Sequence, residues 1–92
     1  MFSGIIETIG QVTEVEKSST DCKITVKIQS LAMIDQGTSV AVNGVCLTVN
    51  NISKSLCSFH LSNETLSKTN LNSIQKSSMV NIEYPLTLNK FI

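Results

Sequence analysis

Ser39, Cys46 and Thr48 are the side chains best placed for chemistry in this 92-residue sequence. Cys46 carries a thiol, which is strongly nucleophilic once deprotonated. Ser39 and Thr48 carry hydroxyls that both donate and accept hydrogen bonds. The three bracket Asn43-Gly44, the dipeptide most compatible with a type I′ hairpin turn. Such a turn pairs Val42 with Val45, Ala41 with Cys46, Val40 with Leu47 and Ser39 with Thr48. Cross-strand partners share a face. One face then holds Val40, Val42, Val45 and Leu47, and the other gathers Ser39, Ala41, Cys46 and Thr48. A small, hydrogen-bonding face lets a flat heterocycle lie close. The same pattern also suits a strand face that simply meets water.

No lysine or histidine adjoins Cys46 in sequence to activate it. A nucleophilic role and a packing role both remain open for it. The other cysteines, Cys22 and Cys57, fall in phase with apolar neighbours and read as core. There is no Cys-x-x-Cys pair and a single histidine, His60, so no metal site is expected. His60 reads as an ordinary surface residue of a strand. Glu64 reads as a first-turn helix residue.

The elements that must position these groups are almost all β. Residues 22–29, CKITVKIQ, alternate apolar and polar with period two. So do Cys57, Phe59 and Leu61, and again Val80, Ile82 and Tyr84. Ile5, Ile9, Val12 and Val15 do not keep one phase, which predicts a bulge or bend around Gly10. Turns are expected at residues 18–21, 35–37, 53–55 and 76–78. One short helix is expected at residues 64–70, capped by Ser62 or Asn63. Residues 30–35, SLAMID, carry a weaker helical period. Many short strands with regular turns indicate a sandwich or barrel.

Length and composition fit a single domain over residues 1–92 with a packed core, 41% of residues being hydrophobic. Seven basic and seven acidic side chains cancel, leaving no electrostatic footprint for nucleic acid. An oligonucleotide-binding barrel would also want stacking aromatics, and there is no Trp and one Tyr. No apolar run is long enough to span a bilayer, and the first twenty residues, with Glu7, Glu14, Glu16 and Lys17, do not read as a signal peptide. An odd number of dispersed cysteines fits a reducing compartment, and the cytoplasm is expected.

Three segments in order, MFSGIIE, VAVNGVCLTV and ETLSKTNL, resemble the N-terminal half of riboflavin synthases. The resemblance runs from residue 1 to residue 89. It implies a six-stranded antiparallel Greek-key barrel with one short helix. Members of that family carry two such barrels in tandem and assemble as homotrimers. They dismutate two molecules of 6,7-dimethyl-8-ribityllumazine, one giving a four-carbon unit to the other, which becomes riboflavin. No cofactor is implied, only the ligand, lumazine or riboflavin. The partners expected are therefore a small-molecule substrate and further copies of the chain, with no nucleic acid and no membrane. A lone barrel is expected to pair as a homodimer and to turn over weakly or not at all.

Site residues follow from the same resemblance. Gly4, Ile5 and Ile6 match a first ligand-lining segment, and Cys46, Leu47 and Thr48 a second. His60, Leu61, Ser62, Asn63, Glu64 and Thr65 match a third. Ser39 matches a polar position near the ring and, with Cys46, is the catalytic candidate. Phe2 covers the ligand or seals the barrel. His60 stands where many relatives have an acidic residue, and Ser62 where many have a hydrophobic one. The chain ends at Asn89-Lys90-Phe91-Ile92, where a full-length member enters its second barrel. An isolated domain of a longer product and a single-barrel lumazine- or flavin-binding carrier both fit that ending.

Overall fold

The computed structural model describes residues 8–29 and 34–84. Strand β2 (Asp21–Lys27) shows how the sequence pattern becomes architecture: Cys22, Ile24 and Val26 are buried, while Asp21, Lys23, Thr25 and Lys27 take the other face. β1 (Thr8–Lys17), β3 (Ser39–Val42), β4 (Val45–Ser53), β5 (Leu56–Ser62) and β6 (Met79–Glu83) also turn apolar residues inward, while Ala41, Ser58 and Glu83 are buried on the other face. Among the described residues these six close into an antiparallel barrel in the order β1-β2-β5-β4-β3-β6. β3, β4 and β5 follow one another through tight turns, and β6 returns beside β3, which is a Greek key. Closure pairs every strand on both sides and leaves no sheet edge running the length of the molecule.

The apolar face of every strand points inward. Phe59, Ile24, Ile28, Leu61 and Ile82 are the largest fully buried side chains. Burying one such side chain stabilises by roughly 1.5–3 kcal/mol. Leu66 of helix α1 (Asn63–Lys68), Leu71 of a 3₁₀ helix (Asn70–Ser73) and Ile74 join the same core. The connection from β5 to β6 is thereby packed onto the barrel.

Two local expectations are corrected. The register of β1 against β2 slips between Val12 and Glu14, at Thr13, and not at Gly10. Gly10 instead permits a close approach of two strands. A Cβ there would lie 2.6 Å from Val26 Cγ1, so hydrogen lets β1 pass close over β2. The helix begins at Asn63 and ends at Lys68, where Thr69 turns extended with φ −133°. The Thr69 hydroxyl donates to the Thr65 carbonyl (2.8 Å) and accepts from the Leu71 amide (3.2 Å), which starts the 3₁₀ helix. The expected turns all form. Ser18 and Asp21 close the first through an Oγ–Oδ1 hydrogen bond of 2.7 Å. Of the SLAMID segment, residues 30–33 lie outside the described residues.

Candidate functional site

The β3–β4 hairpin forms with the register its sequence predicts: Ser39↔Thr48, Val40↔Leu47, Ala41↔Cys46 and Val42↔Val45. Asn43 and Gly44 have φ of 50° and 83°, both positive as a type I′ turn requires. Asn43 does more than turn the chain. Its amide donates to the Asn81 carbonyl, and its side-chain Oδ1 accepts from the Asn81 amide, each at 2.8 Å. The turn is thus fastened to β6, a role invisible in a dipeptide signal.

Val40, Val42 and Leu47 face the barrel interior. Ser39, Ala41, Cys46 and Thr48 take the outer face, with Cys46 and Thr48 exposed, Ser39 half-buried and Ala41 buried. Glu83 of β6 pairs with Ala41 and is only 8% exposed. The sequence pattern placed it on the polar side of β6 and gave no hint of its burial. A carboxylate thus belongs to the same strip as the small side chains.

The third segment lies at the end of β5, the other neighbour of β4. His60 is exposed opposite Lys23 of β2. Leu61 is buried in the core opposite Cys22, so only its backbone can reach an outer-face ligand. The same holds for Leu47. Ser62 is the helix cap, its Oγ accepting from the Thr65 amide and donating to Thr65 Oγ1, both at 3.1 Å. Asn63 Nδ2 donates to the Ser19 carbonyl (3.0 Å), tying the helix start to the β1–β2 turn. Glu64 pairs with Lys68 at 3.2 Å in the open. Its carboxylate is therefore reachable, though shared with a lysine. Gly4, Ile5, Ile6 and Phe2 lie outside the described residues.

The second segment and His60, Leu61 and Ser62 of the third lie on adjoining strands, β4 and β5, while Asn63, Glu64 and Thr65 open α1. Together these offer hydroxyls, a thiol and backbone edges to a flat polar ligand. A recess of about 630 Å³ lies elsewhere, between the end of β1 and residues 74–76, lined by Glu14, Val15, Lys17, Ile74 and Lys76 among others. None of the expected site residues lines it. Among the described residues, no three His, Cys, Asp or Glu side chains converge as metal ligands, and no helix is long and apolar enough to cross a membrane.

Comparison with known proteins gives a family and a fold. The family model of the lumazine binding domain matches residues 3–85. Riboflavin synthase of Bacillus subtilis is 37% identical over 90 residues, covering 97% of this chain and 42% of that protein. Riboflavin synthase of Photobacterium leiognathi is 39% identical over 85 residues, covering 90% of this chain and 39% of that protein. The chain thus spans about two fifths of the length of the curated relatives it matches. Among solved structures, LumP complexed with riboflavin superposes with a TM-score of 0.86 at 24% identity, over 95% of this chain and 48% of that one.

Proposed function

The chain belongs to the lumazine binding domain family, and from that membership we propose that it is the N-terminal barrel of a riboflavin synthase, binding one 6,7-dimethyl-8-ribityllumazine or riboflavin. The ligand ring lies against Ser39, Cys46 and Thr48, and the ribityl chain runs toward residues 60–65. The carrying observation is the pairing of Ser39 with Thr48 and of Ala41 with Cys46 on one outer face. Gly4, Ile5 and Ile6 supply backbone to the ring edge. In the dismutation one ligand loses a four-carbon unit and the other gains it, so the sum of atoms is unchanged and no external oxidant is needed. The step requires proton loss from the acidic C7 methyl group and addition of a nucleophile at C7. Cys46 is the candidate nucleophile, and Ser39 orients the ring. The groups that complete the site come from a second barrel, so this chain alone turns over weakly or not at all. It pairs as a homodimer in isolation, assembles as a homotrimer within a two-barrel chain, and works in the cytoplasm, where its thiols stay reduced.

Fluorescence titration tests the binding step: saturable quenching or a spectral shift is expected at one ligand per chain. No change at high protein concentration refutes the proposal. A second reading, a non-catalytic carrier of lumazine or flavin, is favoured by the exposure of Cys46, which suits a ring contact as well as a nucleophile. Joining this barrel to the second half of a relative separates the two, since only the enzyme reading predicts riboflavin formation.

A further inference from the structure

Ser58 is the one buried side-chain polar atom among the described residues that the fold leaves without a hydrogen-bond partner. The residue is 6% exposed. Leaving a buried hydroxyl unsatisfied costs about 1–3 kcal/mol, so something outside the protein is expected to meet it. Ser58 stands on the outer face of β5 between its cross-strand partners, Thr25 of β2 and Asn51 of β4. Beside it the register of β4 slips between Val49 and Asn51, a bulge that bends the strand. The result is a recess of about 130 Å³ lined by Lys23, Thr25, Asn51, Ser53, Leu56 and Ser58.

The lining has a definite chemistry. It offers an ammonium, three hydroxyls and a carboxamide, and no carboxylate. Among the described residues, the side chains of Lys23, Thr25, Asn51 and Ser53 make no hydrogen bond or ion pair either. Five uncommitted donor-bearing groups, one of them positively charged, match an acceptor-only ligand. The space equals the liquid volume of about four waters at roughly 30 Å³ each, room for a small tetrahedral oxyanion. We propose that this recess binds a phosphate group, free or as the end of a phosphomonoester, through Lys23, Thr25, Asn51, Ser53 and Ser58. Ser58 lies two residues from His60, about 7 Å along an extended strand, and Lys23 stands opposite His60, so the recess borders the third segment and none of the expected site residues lines it.

The test is a two-dimensional amide NMR titration of the intact chain with inorganic phosphate and with glycerol 3-phosphate, against sodium chloride at equal ionic strength. Saturable shifts are expected at the Thr25 and Ser58 amides and the Asn51 carboxamide with phosphate, and none with chloride. Shifts with both phosphate compounds assign the recess to the phosphate group in general; shifts with inorganic phosphate alone restrict it to the free ion. Ser58→Ala and Lys23→Gln should each weaken binding at least tenfold. Non-saturating shifts, equal shifts in chloride, or unchanged affinity in the variants overturn the proposal. Should Ser58→Ala fail to fold, Lys23→Gln at its half-exposed position carries the comparison alone.

Discussion

Ala41 and Cys46 stand opposite one another across the hairpin on the barrel's outer face, yet Ala41 is 4% exposed and Cys46 is open to solvent. Ala41 sits in the middle of three strands, with Cys46 on one side and Glu83 on the other. Ala41 lies at the floor of this strip beside the buried Glu83, and the thiol stands at its rim. Cys46→Ala should therefore leave stability within about 0.5 kcal/mol of the parent, as at other exposed positions. Riboflavin affinity should fall by about 1–2 kcal/mol if the thiol touches the ring. Urea unfolding and fluorescence titration read the two effects separately. An unchanged affinity would remove Cys46 from the binding face.

Gly44 and Gly10 should fail for opposite reasons. A Cβ at Gly44 meets nothing within 4 Å, so Gly44→Val carries only the strain of φ +83°, about 1–3 kcal/mol. It should also weaken ligand binding, because the turn sets the register that aligns Ser39 with Thr48. At Gly10 the backbone is ordinary but Val26 Cγ1 and the Lys27 carbonyl crowd the added carbon, at 2.6 and 3.2 Å. Gly10→Ala should cost about 1–3 kcal/mol through overpacking and leave the affinity of the folded protein alone. A Gly44→Val protein with parental stability and affinity would disconnect the turn from the site.

The helix cap gives a third test. Ser62 satisfies the Thr65 amide at 3.1 Å, so Ser62→Ala should lose about 1 kcal/mol in urea unfolding. Lys68→Ala removes only an exposed pair with Glu64 and should leave stability nearly unchanged. If Glu64 receives the ribityl hydroxyls, Lys68→Ala should retain or tighten binding, whereas Glu64→Ala should loosen it.

The three thiols should part company toward an alkylating reagent. Cys46 is exposed and should react in the native state; Cys22 and Cys57 are buried and should react only on unfolding. Burial pushes both of the latter above the ordinary thiol pKa; at Cys22, nearby Lys17 opposes and Asp21 adds to the shift. A raised folded value means the unfolded chain releases its thiol protons first. This stabilisation is present in full below the ordinary thiol pKa and is lost as pH rises toward the folded value. Urea midpoints should decline across that alkaline window, and less steeply in Cys57→Ala. A midpoint that rises there would contradict the burial.

The strands were legible wherever one side of the chain meets core and the other water. Cys22, Ile24 and Val26 announce β2 in that way, and Asn43-Gly44 announces the hairpin and its register. What escaped depends on three-dimensional neighbours. The bulge at Thr13 arises because β1 must leave β6 and follow β2, a constraint absent from its own residues. The burial of Glu83 comes from its place beside β3, and the orphaned hydroxyl of Ser58 from a slip in the adjoining strand. The 3₁₀ helix rests on one threonine, Thr69, whose side chain serves two backbones at once.

β6 lies between β1 and β3, and among the described residues it joins β3 by two residue pairs beside the Asn43 clasp. On a ribosome, β1 through β5 therefore emerge with no means of sealing the cylinder, and Thr8 waits for Ile82. Until then the hairpin that carries Cys46 is a free edge, open to other chains. Nascent chains arrested before Met79 should remain protease-sensitive, and those extended past Glu83 should become resistant in one step.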